Sequence, residues 1–127
     1  MPEIQLPDRA EAVAAAVAFV EAEASRAGWS VADVTRAVLA VSEAVGNAVE
    51  HGPPGPVRVR CTPSPSALRL DVEDGGDGPP AAALDGAALP DDPLAEGGRG
   101  LYIMRTVADE VRVEGGVVTL RFLRDDG

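Results

Sequence analysis

The chain has 127 residues, 21 acidic and 11 basic side chains, and a formal net charge of −10. That length fits one domain with a real core, and the acidity argues against nucleic acid or an anionic membrane as partner. There is no Lys, which excludes a P-loop and the lysine-dependent protein-kinase arrangement, so any phosphate contact must come from Arg, backbone N–H groups or a metal.

No apolar run is long enough to span a membrane. The N-terminus, MPEIQLPDRAE, is acidic and lacks the basic start of a signal peptide. The single Cys61 excludes an internal disulfide and fits a reducing cytoplasm. With only one His, His51, the chain cannot build a Cys/His zinc site.

In chain order, Ile4 to Leu6 reads as a short first strand. Pro7-Asp8 then starts a helix, with Asp8 as N-cap and Glu11 completing a capping-box-like pair. Val13, Val17 and Val20 give its inner face, and Gly28 ends it. Ser30 is the expected N-cap of a second helix, with Asp33 in its first turn. Gly52, followed by Pro53 and Pro54, stops that helix sharply.

Val57, Val59 and Cys61 alternate with Arg58 and Arg60, as in a strand with one wet face. After a Pro-Ser-Pro-Ser turn, Leu68, Leu70 and Val72 alternate with Arg69, Asp71 and Glu73. These two segments form a hairpin. Residues 79–98 are rich in Pro, Ala, Gly and Asp, with weak periodicity, and their length suggests a functional lid. Gly97-Gly98-Arg99-Gly100 opens a third helix, whose Leu101, Met104, Val107 and Ala108 face the core. A last hairpin follows, from Val111 to Leu123, around Gly115-Gly116. This order predicts an α+β fold: a two-layer sandwich with a mixed, mostly antiparallel sheet and helices on one face.

The second helix is organised around LAVSEAVGNAVEHG, residues 39–52. Val34, Val38, Val41, Val45 and Val49 recur at helical spacing and form an apolar stripe. Glu43 and Asn47 are one turn apart on the side roughly opposite, with Glu50 near them. Ala40 and Gly46 flank that side and leave room for a ligand or for close packing.

Two further stretches carry chemistry. Asp74 ends a strand and is followed by glycines at alternate positions, Gly76 and Gly78. Such a backbone turns tightly and approaches a ligand closely. A carboxylate is a pure acceptor, suited to an exocyclic amino group. The glycine-rich start of the third helix offers free N–H groups and the positive end of the helix dipole to an anion, and Arg99 adds a charge.

Each stretch alone is common. Together, Glu43-x-x-x-Asn47 on a helix, Asp74-x-Gly76-x-Gly78 after a strand and Gly98-x-Gly100-Leu101 opening a helix resemble the N, G1 and G2 boxes of the GHKL ATPase superfamily. Within it, VSEAVGNAVEHG and GGRGLYIM look like the small bacterial serine kinases that act as anti-sigma factors, the RsbW type. Thr119 in VVTLRF matches a late-strand threonine of that family. The resemblance runs from about Asp8 to Phe122.

The resemblance implies a Bergerat-type ATP-binding fold and a role for each matched residue. Asn47 would coordinate Mg²⁺ bridging to the ATP phosphates. Glu43 would be general base toward a substrate hydroxyl. Asp74 would accept from the adenine amino group, with Gly76 and Gly78 shaping the adenine pocket. Gly98, Arg99 and Gly100 would meet the phosphates, with Leu101 closing that box. Thr119 would lie near the adenine, and residues 79–98 would form the ATP lid.

The implied activity is a cytoplasmic, Mg²⁺-ATP-dependent serine/threonine-protein kinase. It would phosphorylate a STAS-type anti-anti-sigma protein and bind a sigma factor, as a homodimer, with no nucleic acid or membrane contact. One departure stands out. Such kinases usually carry an Arg in the first helix for partner contacts, whereas AVAAAVAFV has none, and Arg9 and Arg26 lie at its ends. The alternative is an ATP-binding regulatory module that sequesters a partner without phosphorylating it.

Overall fold

The computed structural model describes residues 2–6, 11–52, 55–75 and 98–124. Its elements are β1 (Glu3–Gln5), α1 (Ala12–Arg26), α2 (Val31–His51), β2 (Arg58–Pro63), β3 (Ala67–Glu73), α3 (Gly98–Val107), β4 (Glu110–Glu114) and β5 (Val117–Leu123). The strands form one sheet in the order β1-β2-β3-β5-β4, and every neighbouring pair is antiparallel. The helices cover one face of it. The fold is the α+β sandwich that the sequence predicts.

Alternation along the strands decides which face is covered. Leu68, Leu70 and Val72 of β3 and Val118, Leu120 and Phe122 of β5 are buried toward the helices. The opposite face carries Arg58, Arg60, Arg69, Asp71, Glu73, Arg112 and Arg121 around a shallow trough of about 440 Å³. On α2, Val34, Val41 and Val45 are buried, while Val38 and Val49 are half-buried against the same core. Each fully buried Val, Leu or Phe contributes about 1.5–3 kcal/mol.

The first strand is one residue earlier than expected, at Glu3–Gln5. Leu6 follows it, buried, with its N–H donating to the Val57 carbonyl at 2.8 Å. Helix α1 is N-capped by Glu11, whose side chain makes no cap bond, and the expected cap Asp8 lies outside the described residues. The buried face of α1 is Ala12, Ala16, Val20 and Ala24, and Val13 and Val17 flank it half-buried. Three of these four points are alanine, small enough for close packing on α2, and Val20 is the one large side chain among them.

Helix α1 ends in a Schellman arrangement. Gly28 takes φ +86, its N–H reaches the Ser25 carbonyl (3.0 Å), and Trp29 N–H reaches Ala24 (3.1 Å). Ser30 caps α2 as expected, its Oγ accepting from Asp33 N–H at 3.1 Å. In the last hairpin Gly115 takes φ +60 between paired Glu114 and Val117.

Candidate functional site

Helix α2 is the central element. It packs on α1, on α3 and on the sheet through β3 and β5. Glu43 and Asn47 are both half-buried on it, and Glu50 is exposed. Successive turns put their Cβ atoms about 5–6 Å apart. Neither Glu43 nor Asn47 is engaged by another described side chain.

The flanking small residues differ. A Cβ on Gly46 would meet nothing within 4 Å, so open space lies beside that position. Ala40 is fully buried. It belongs to the packed side of α2 and leaves no room for a ligand.

Asp74 comes to the other end of the same helix. It directly follows β3, and its N–H donates to the Gly116 carbonyl at 3.0 Å, which fixes it to the last hairpin. A Cβ on Gly52, the C-cap of α2, would stand 2.9 Å from Asp74 Oδ2 and would run into the Ala48 carbonyl. Gly52 has φ −79, an ordinary value, so space and not backbone conformation demands glycine here. The sequence shows Gly52 only as a helix stop. A carboxylate at the carbonyl end of a helix lies at the negative pole of its dipole, where a hydrogen-bond donor from a ligand is favourable.

Thr119 is not brought to this group. It pairs with Asp71 across β3 and β5, and its Oγ1 donates to Asp71 Oδ1 at 2.7 Å. Both residues line the open face of the sheet, away from the helices. The inward position one residue earlier is Val118, which is buried.

Gly98, Arg99, Gly100 and Leu101 form the first turn of α3, as the glycine-rich helix start predicts. Further on, Met104 is fully buried, Ala108 is buried and Val107 is half-buried, which anchors α3 in the core. Gly76, Gly78 and the expected lid, apart from Gly98, lie outside the described residues.

Among the described residues no group of three or more His, Cys, Asp or Glu side chains could hold a metal. The donor chemistry still suits Mg²⁺, which takes hard oxygens, keeps several waters and uses one or two protein ligands beside substrate phosphates. The Asn47 carboxamide is such a donor. Cys61 plays no part: it is buried in β2, and burial, aided by the charge of Glu23, pushes its thiol up to about 11.

The model of the histidine kinase-like ATPase domain matches residues 6–122. This chain belongs to that family. It is similar to the serine-protein kinase RsbW of Bacillus licheniformis, at 35% identity over 88% of this chain and 76% of the relative. The serine-protein kinases RsbW of Bacillus subtilis (strain 168) and Bacillus pumilus are each 34% identical over the same shares. Among the described residues no helix is long and apolar enough to cross a membrane.

Proposed function

We propose that the chain is a Mg²⁺-ATP-dependent serine/threonine-protein kinase and anti-sigma factor. It phosphorylates a Ser or Thr of a STAS-type anti-anti-sigma protein and binds a sigma factor when that antagonist is phosphorylated. It acts in the cytoplasm, as a homodimer. The observation that carries the reading is the meeting of Asp74 with the C-terminal end of α2, the helix that also holds Glu43 and Asn47. Asn47 is about 7.5 Å and Glu43 about 13.5 Å back along the axis from Gly52. One helix thus serves both ends of a nucleotide. The family match and the names of the relatives support the activity.

In this reading Asp74 accepts from the adenine amino group, and Gly76 and Gly78 shape the adenine pocket. Asn47 ligates Mg²⁺, which neutralises charge on the phosphates. Gly98, Arg99, Gly100 and Leu101 meet the phosphates at the start of α3, where N–H groups and the dipole favour anions. Glu43 takes the proton of the attacking hydroxyl. Phosphoryl transfer asks for these parts: neutralised phosphates, an aligned nucleophile and a base.

One observation favours a sequestering module without transfer. The only arginine within α1 is Arg26, on its last turn, where it pairs with Glu23 at 2.8 Å. Incubation with labelled ATP and STAS-type proteins, followed by mapping of the phosphosite, decides between them. Label on a single Ser or Thr establishes the kinase. ATP binding with no transfer to any of them establishes the module.

A further inference from the structure

Arg36 bonds to three separate elements of the fold. Its Nη2 donates to Asp33 Oδ1 at 2.9 Å and to the Leu123 carbonyl at 3.2 Å, and its Nη1 donates to the Val107 carbonyl at 3.2 Å. Nη1 is also 3.6 Å from Asp109 Oδ2, and the guanidinium lies 5.8 Å from the centre of the Phe122 ring. Asp33 is the buried charged partner, 3% exposed. Asp109 Oδ2 accepts from Leu123 N–H at 2.7 Å. One guanidinium therefore ties the first turns of α2 to the last residue of α3, to the segment that follows it and to the end of β5.

This tie has a direction. Val107 ends α3 beside the beginning of α2, and α3 packs on α2, so α3 runs back along it. The 10 residues of α3 span about 15 Å. Counted from Arg36 along α2, about 15 Å of rise reaches the level of Gly46 and Asn47. The far end of α3, which starts at Gly98, thus comes level with the proposed metal ligand. Burial of Met104 holds α3 onto the core, but apolar burial is non-directional and does not by itself fix how far one helix stands along another. A planar guanidinium with donors fixed in a fork does.

We propose that Arg36 is a positioning residue for the nucleotide phosphates. Through Val107 it sets the position of α3 along α2, and so the distance between the Gly98–Gly100 turn and Asn47. The inference rests on the nucleotide reading of the site. Arg36 touches no phosphate. It acts on the phosphate end and not on the adenine end, because Asp74 is fixed through Gly116, at the turn of the last hairpin and the opposite end of β5 from Leu123.

Removing Arg36 alone leaves the Asp33 carboxylate buried without its partner, which threatens folding. Two variants avoid this. Arg36→Lys keeps a charge beside Asp33 but cannot serve Val107, Leu123 and Asp33 together. The double variant Asp33→Asn/Arg36→Met removes both charges. Binding of Mg²⁺-ATP and of adenosine is titrated against each folded variant and the parent. The expected result is a ratio of ATP to adenosine affinity lower by about 2- to 30-fold, the size of a coupling carried through packed elements. Adenosine affinity stays unchanged. Equal losses for both ligands mean a general structural role and overturn the proposal. A parent that prefers ATP and variants that retain its full preference overturn the proposal alone. A parent that binds neither ligand overturns the nucleotide reading and this proposal with it.

Discussion

The carboxylate of Asp74 occupies the space that a side chain at Gly52 would need, 2.9 Å from the position of its Cβ. This contact joins the end of β3 to the end of α2, and it makes the two residues a unit. Gly52→Ala should destabilise the fold by about 1–3 kcal/mol, the usual cost of overpacking. Part of that cost comes from the Ala48 carbonyl, which cannot move freely, and part from Asp74. In an Asp74→Ala background the Asp74 part vanishes. Melting temperatures of the four proteins should therefore be non-additive, with a coupling of about 0.5 kcal/mol or more. Additive effects would mean that the two residues do not constrain each other.

Glu43→Gln should separate binding from transfer. The amide keeps the size of the side chain but takes no proton. Nucleotide affinity should hardly change, while the rate of phosphoryl transfer falls by about 10²- to 10⁴-fold. An unchanged single-turnover rate would remove Glu43 as the base.

Asn47→Ala should weaken the metal-dependent part of binding. Alanine is the better helix former, so the fold should hold. The gain in ATP affinity on adding Mg²⁺ should shrink in titrations with and without the metal. If that gain is undiminished, the metal is held elsewhere, and Glu50 becomes the next residue to test.

Several features of this fold are legible in the sequence because their signals are local. The valine stripe of α2, the alternation in β2 and β3, the Ser30 cap and the Gly-Gly turn all act over a few residues. The centre of the α1 face is harder to read, since alanine carries little periodic signal: Val20 is fully buried, but Val13 and Val17 lie at the edge of the face and Ala12, Ala16 and Ala24 fill its middle. The face on which Thr119 lies is not legible for a different reason. It is set by the pairing of Asp71 with Thr119, across 48 residues, and a shift of one position reverses it. Arg36 is similar: its carbonyl partners are 71 and 87 residues away. Nothing near Arg36 in sequence marks it out.

Cys61 should be silent toward thiol reagents in the folded protein. It is fully buried, and its thiol titrates only near 11, against 9.0 in the open chain. The thiolate is the reactive form, so labelling at neutral pH should occur only through opening of the structure. The sign of the pH effect follows. Between 9.0 and about 11 the unfolded chain releases this proton and the folded chain keeps it, so the thiol's contribution to stability is lost as pH rises through that window. Cys61→Ala should flatten this part of the stability profile, at the cost of a small cavity. Rapid labelling of the native protein at neutral pH would contradict the buried position.

Asp74→Ala should act on the base and not on the phosphates. A site that hydrogen-bonds an amino group penalises a ligand lacking that donor, because the acceptor is left unpaired. The parent should therefore prefer ATP over GTP, whose carbonyl would face the carboxylate. A hydrogen bond to a charged acceptor is worth about 1.5–3 kcal/mol, so the variant should bind ATP about 10- to 150-fold more weakly. It should then hold ATP and GTP nearly equally. Melting temperatures of the variant and the parent, measured alongside, separate a loss of affinity from a loss of fold. Titration of both nucleotides against both proteins gives the answer. A variant that keeps the parent's preference for ATP would show that Asp74 merely ends β3 and shapes the cap of α2.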